Sequence, residues 1–368
     1  MTLKIKFSKR TKTLSHQDFF YLLDFFITAN SKGMRTQKNG KRIKHETNYK
    51  YINLKRLLSV FCKEKQFEMK LYLVNNLTRA ENNNAKKYWI EFYKKFTSFL
   101  YDDKKYIDNY VSLNIKSLRV FFNYLQIDLN IPVGNFHKQF YVFTEQIRIV
   151  VLRPEQLNYL IYDEELNARL DPSLLIIKDL FVFGCTVALR FSDLMSLKSH
   201  NVECVNGNYY LKVKSNKTGV YTSVKLPNYA IDIIDKYKHL RKSLLPLLSN
   251  SYFNLKLKEL GKYICNSEVM PKLRERRGRP EVIYKNNREK THYTMADYIT
   301  THTMRRTGIT TLLSMGVPEH MVRKVSGHAP NSKEFFRYVE LSQKYLDEAT
   351  DQAFSKLLNV KPLQKETF

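Results

Sequence analysis

The sequence predicts a multidomain, predominantly helical protein. An all-α N-terminal bundle is expected ahead of a mixed α/β domain that is mostly helical and carries a small β-hairpin sheet. Three observations support this expectation. At 368 residues the chain exceeds the usual single domain, so two domains of roughly 150 to 200 residues are expected. Four stretches before residue 130 space their apolar residues at helical intervals. Beyond it, Asn208 to Lys214 and Val220 to Pro227 alternate as strands do. Hydrophobic residues at 43% and aromatics at 13% suffice for a core in each half.

Residues 1–15 are basic and aperiodic and read as an arm. From His16 to about Asn30, Phe19, Phe20, Leu22, Leu23, Phe25, Phe26 and Ile27 share a helical face. Residues 31–45 hold two glycines among Lys and Arg, the signature of an exposed loop suited to phosphates. Helical patterns follow over Thr47 to Lys65, Arg79 to Tyr101 and Ile107 to Leu125, completing a basic bundle over 16–135. Ile131-Pro132-Val133-Gly134 breaks the pattern, and residues 136–152 read as an interdomain linker. The second domain is expected over 153–345. It opens with helices near Pro154 to Asn167 and from Pro172 through Val182. A hairpin is predicted around Ser215-Asn216-Lys217-Thr218-Gly219, and a helical stretch from about Ile231 to Leu248. Residues 274–291 read as a basic loop with a short strand at Glu281 to Tyr284. Thr303 to Met315 and Glu319 to Val325 read as helices. The tail, 346–368, continues an amphipathic pattern that could pack on a neighbouring protomer.

Lys and Arg total 62 against 35 Asp and Glu, and the resulting +27 is spread along the chain. Such self-repulsion calls for a polyanionic partner. Membrane is the weaker option for that partner: the longest apolar run, around Asp179 to Leu189, falls short of the roughly 20 residues a span requires. Cys62, Cys185, Cys204 and Cys265 are scattered without a Cys-x-x-Cys pair. Packing residues in a reducing intracellular compartment are therefore expected, with no metal site.

His302 and Arg305, three residues apart at a helix start, share a face and could hold one phosphate. His328 follows Arg305 by 23 residues, in the pair Gly327-His328, and Tyr338 follows His328 by ten. Upstream, Arg190 ends the small-residue run Gly184-Cys185-Thr186-Val187-Ala188-Leu189, with Asp193 three residues later. Lys217 occupies the turn of the predicted hairpin.

This ordered set resembles the tyrosine recombinases, the phage-type integrases, over about residues 150–345. The run from Gly184 to Leu197 is similar to the family's first arginine box, and Lys217-Thr218-Gly219 to its lysine-bearing turn. HTMRRTGITTLLSMG is similar to its His-x-x-Arg helix, and SGHAPNSKEFFRY to its closing box. The resemblance implies a catalytic set of Arg190, Lys217, His302, Arg305, His328 and Tyr338.

The chemistry explains why these residue types recur. Attack on a phosphodiester builds charge on the non-bridging oxygens, so preplaced cations and donors carry the catalysis. Arg190 and Arg305 are expected to clamp the phosphate, because guanidinium forks match its oxygens and stay protonated. By resemblance, His302 and His328 hydrogen-bond the phosphate, with His302 also accepting the tyrosine proton. Lys217 protonates the departing 5′-oxygen. Tyr338 is the nucleophile, giving a 3′-phosphotyrosine and conserving bond energy, so neither ATP nor a metal is expected as cofactor. The implied partners are double-stranded DNA carrying specific target sites and three further copies of the chain in a homotetramer. An accessory DNA-bending or directionality protein is compatible with the family, and the location expected is the bacterial cytoplasm at the nucleoid. Both domains would close on duplex DNA as a clamp.

Asp193 is expected to brace the site without reacting. Lys212 and Lys214 are rivals to Lys217, and Tyr345, 17 residues after His328, is a distant rival to Tyr338. Arg306 stands where many members carry a second His, which leaves its role open. Phe335 and Phe336 read as core. Three other readings differ in their chemistry. A type IB topoisomerase would relax supercoils as a monomer without a partner site. An inactive DNA-binding regulator would not preserve all six residues. A metal-dependent transposase would need clustered carboxylates, of which no convincing set is found.

Overall fold

The computed structural model describes residues 11–37, 39–141, 143–215, 219–240, 242–265, 269–329 and 332–358. The chain divides into two compact units, Met1–Ile147 with Leu273–Ile283, and Arg148–Lys272 with Tyr284–Phe368.

The first unit is built on four helices, α1 (His16–Ser31), α2 (His45–Glu64), α3 (Arg79–Ser98) and α4 (Asp108–Ile127). Two of them begin where capping boxes stop the chain from fraying. Ser15 and Asp18 exchange side-chain and backbone hydrogen bonds before α1, and Thr78 and Glu81 do the same before α3. A two-residue strand, β1 (Thr13–Leu14), pairs antiparallel with β2 (Leu71–Tyr72). Phe19, Phe26, Phe61, Phe92, Phe96, Phe99 and Phe121 are fully buried between the helices. Edge-to-face pairs such as Phe19–Phe121 and Phe61–Phe92 give this core specific geometry in addition to burial.

The second unit begins with α5 (Pro154–Tyr162), α6 (Glu164–Arg169), α7 (Pro172–Val187) and the single turn α8 (Phe191–Leu194). An antiparallel sheet follows, of β3 (Val202–Val205), β4 (Asn208–Lys214) and β5 (Tyr221–Lys225), in that order. Next come α9 (Asn228–Lys236), α10 (Asn250–Ile264), a hairpin of β6 (Lys272–Arg276) and β7 (Arg279–Ile283), and α11 (Met295–Tyr298). The unit closes with α12 (Thr301–Ser314), α13 (Glu319–Ser326) and α14 (Lys333–Leu358). Helix α12 packs against α7, α13 and α14, so it is the central element of this unit. Among the described residues no helix is long and apolar enough to cross a membrane.

Four features differ from the sequence reading. The helix expected over Ile231 to Leu248 ends at Lys236; Pro246 bars a helix through the last part of that stretch, and α10 starts afresh behind the Ser249 cap. The stretch read as a basic loop contains the β6–β7 hairpin, most of which groups with the helical bundle. Two buried carboxylates hold it there. Asp108 accepts from the backbone N–H groups of Arg277 and Gly278 at 2.7 and 2.8 Å, and Glu145 accepts from Arg274 and from the Glu275 N–H. The tail continues the helix that carries Tyr338, since α14 runs unbroken from Lys333 to Leu358. Phe335 is core as expected, whereas Phe336 is 52% exposed.

Candidate active site

The site grows from the way α7 ends. Asp171 caps its start, accepting from the Ser173 and Leu174 N–H groups, and the helix stops at Ala188 in a left-handed turn (φ 50°). That turn frees the Ala188 carbonyl and sends the chain out in an extended conformation at Arg190, the N-cap of α8. Asp193, buried on α8, accepts from the Ser215 hydroxyl at 3.1 Å, and Arg190 Nη1 donates to the same hydroxyl at 3.1 Å. Ser215 follows β4 directly and is itself buried.

Helix α12 starts at the Thr300–Thr303 capping box, which places His302 and Arg305 one turn apart. His302 is exposed and Arg305 is only 5% exposed. Depth is set by glycine: a Cβ on Gly308 would stand 1.9 Å from the Cys185 carbonyl oxygen, so only a glycine lets α12 approach α7 this closely. Arg305 thereby reaches the Ala188 carbonyl with Nη1 at 2.9 Å and the Ser326 carbonyl with Nη2 at 2.7 Å. Burial, with Arg190 close by, pushes its pKa down to about 10, so it remains a cation at neutral pH.

Helix α13 ends at Gly327 in the left-handed region (φ 63°), where the His328 N–H turns back to the Arg323 carbonyl at 3.0 Å. This is the geometry that glycine allows at a helix C-terminus, and it points His328 into the site. Arg305 Nη2 lies 3.2 and 3.3 Å from the two ring nitrogens of His328. Burial first, then the charges of Arg305, Arg190 and Arg323, push this imidazole down to about 3. Tyr338, on the second turn of α14, is 7% exposed, with its ring centroid 5.9 Å from that of His328. Tyr338 and Asp193 lie near enough to Arg305 to oppose the lowering of its pKa.

Arg190, Arg305, His328 and Tyr338 therefore converge in one unit, with Asp193 in the bracing position. His302 lies on the Arg305 helix, one turn away. Lys217 lies outside the described residues. Sequence reasoning missed Ser215 and Ser326, and their only signal was proximity: each stands two residues before a motif residue, Lys217 and His328.

Convergent cations, a neutral imidazole and a buried phenol fit attack on a phosphodiester. A family model, the phage integrase family, matches residues 151–344, more than half of the chain. The chain belongs to the phage integrase family. It is a tyrosine recombinase, an enzyme of site-specific DNA recombination. The fold agrees with that of solved members of low sequence identity. A λ integrase tetramer bound to a Holliday junction superposes with a TM-score of 0.56 at 14% identity, over 90% of this chain and 78% of that one. A λ integrase dimer on a COC′ core site gives 0.55 at 13% identity, over 89% and 78%. The XerH site-specific recombinase in its post-cleavage complex with palindromic difH gives 0.52 at 14% identity, over 93% and 90%. A search of curated proteins found no significant match.

Proposed function

We propose that this recombinase cuts and rejoins double-stranded DNA at specific sites through a 3′-phosphotyrosine bond to Tyr338. The observation that carries the reading is the convergence of the two guanidinium groups with His328 and Tyr338 around a single position in one unit. Arg190 and Arg305 would grip the scissile phosphate, and Asp193 would hold Arg190 in place through Ser215. Lys217 would donate a proton to the 5′-oxygen as it leaves. His302 would accept the phenol proton and His328 would stand at the phosphate. One phosphodiester replaces another of similar energy, so the reaction needs neither ATP nor a metal.

The DNA is engaged by both domains in this reading. In the bundle the exposed Lys32, Lys41, Arg42 and Lys44 offer phosphate contacts. The working assembly would be a homotetramer that exchanges strands in pairs, with the α14 tail joining protomers. Accessory DNA-bending proteins would set direction, and the bacterial nucleoid is where such an enzyme would act.

A nicked suicide substrate carrying the target site tests the nucleophile. After cleavage the short flanking strand diffuses away, so the covalent adduct accumulates on a denaturing gel. Wild-type protein is expected to form it without divalent metal, and Tyr338→Phe to form none while still shifting the DNA. An adduct that survives in Tyr338→Phe overturns the assignment.

A further inference from the structure

Ser326 is 1% exposed, and its hydroxyl touches three groups: the Val322 carbonyl at 2.7 Å, the Arg323 carbonyl at 3.4 Å and His328 Nδ1 at 2.8 Å. A serine hydroxyl has one proton to give. Within a helix that proton goes to the carbonyl four residues back, here also the shortest contact. Towards the imidazole, Oγ is then left only as an acceptor, so Nδ1 must carry a hydrogen.

Arg305 borders the same ring. Its Nη2 donates to the Ser326 carbonyl and stands 3.2 Å from Nδ1 and 3.3 Å from Nε2, nearly equidistant from the two ring nitrogens, so the guanidinium lies over the face of the imidazole. From there it addresses neither nitrogen's in-plane lone pair, and the place of the ring proton is left to Ser326. With Nδ1 protonated, Nε2 is bare. The ring has only one proton to place, because burial and the surrounding arginines keep it neutral.

We propose that Ser326 is a positioning residue: its hydroxyl, committed as a donor to Val322, holds His328 in the Nδ1–H tautomer and leaves Nε2 unprotonated. The Ala188 and Ser326 carbonyls hold the Arg305 guanidinium, and the ring that Ser326 orients lies against it.

The catalytic consequence rests on the recombinase reading, whereas the tautomer does not, and the test separates them. Full-length protein labelled with 15N-histidine is examined by long-range 1H–15N correlation, with the His328 signals identified by their loss in His328→Gln. The expected wild-type spectrum has a protonated Nδ1 and a pyridine-like, unprotonated Nε2. An Nε2–H form in the wild type overturns the proposal without any serine variant. Ser326→Ala is expected to shift the ring towards the other tautomer and slow suicide-substrate cleavage roughly fivefold to tenfold, the rate equivalent of one neutral hydrogen bond. Ser326→Thr keeps the hydroxyl and is expected to restore both. A Ser326→Ala protein with unchanged tautomer and rate overturns the proposal. Wild-type protein with the expected tautomer but no cleavage would refute the recombinase reading and leave the tautomer assignment standing.

Discussion

At the scale of single residues, burial decides how each site group behaves. Arg305 tolerates its depth because carbonyls receive its donors, and an unpaired guanidinium there would be costly. His328 faces the opposite problem, because protonation would add a cation beside three arginines. This has a definite pH consequence. In the unfolded chain a histidine takes up its proton near pH 6.5, while in the folded protein His328 does so only at about 3. The native state is therefore penalised as pH falls below about 6.5, because the unfolded chain binds the extra proton. The loss grows until the folded pKa is reached, with a slope of at most about 1.4 kcal/mol per pH unit. His328→Gln, uncharged throughout, is expected to show a shallower decline in thermal midpoint between pH 6.5 and 4.5 than wild type. Parallel curves would refute a buried neutral His328. The candidate arginines, histidines and tyrosine stood out in the sequence because phosphoryl chemistry favours those residue types and because their order resembles the family's. Ser215 and Ser326 were not, because serine is common everywhere and its partner is chosen by folding. The Asp193–Ser215–Arg190 chain joins two stretches of sequence that only the return of β4 brings together.

At the scale of elements, the site depends on how closely two helices approach. Gly308 faces the Cys185 carbonyl, a backbone atom that cannot swing aside, whereas the three atoms nearest a Cβ on Gly184 all belong to the flexible side chain of Met304. Both glycines lie in helices, so a small helix-propensity gain on replacement by alanine is common to the two. Gly308→Ala must then separate α12 from α7 and is expected to destabilise the protein by about 1–3 kcal/mol. It should also draw Arg305 away from Ala188 and slow cleavage. Gly184→Ala is expected to cost less, because Met304 can change rotamer. Chemical denaturation of the two variants checks the ranking, and the reverse order would refute this account of the contact. Helices were the most legible elements, since α1 to α4 each announce a buried face through their apolar period. The β6–β7 hairpin was illegible for the opposite reason. Its sequence, KLRERRGRPEVI, lacks an alternating apolar face and reads as a charged loop. What holds it is polar: the Asp108 and Glu145 carboxylates receive its N–H groups, a match between positions more than 120 residues apart that no local pattern encodes. The sequence reading sets the tail apart from residue 346 onward, while nothing between Phe335 and Phe354 stops a helix.

At the scale of the whole molecule, charge and chemistry are separable. The surplus of 27 positive charges acts over a surface, and each phosphate it neutralises releases a condensed counterion. The logarithm of the DNA-binding constant is therefore expected to fall linearly with the logarithm of salt concentration, with a slope of roughly −0.9 per contacted phosphate. If six to ten phosphates are contacted, roughly a thousandfold or more of affinity is lost between about 50 and 200 mM salt. Tyr338→Phe removes the proposed nucleophile and no charge, so its slope should match wild type. Replacing Lys32, Lys41, Arg42 and Lys44 with alanine should make the slope shallower by as much as about 3.6, in proportion to how many of the four meet phosphate. Fluorescence anisotropy across a salt series measures all three proteins. An unchanged slope in the fourfold variant would remove this loop from the interface, and a flat wild-type response would remove the electrostatic account of binding altogether. Cleavage by the fourfold variant at saturating protein should equal that of wild type, because the four replaced side chains belong to the bundle and the cluster around Arg305 is built within the other unit. Equal saturated rates with unequal salt slopes would show that the basic surface brings DNA to the site and takes no part in breaking the bond.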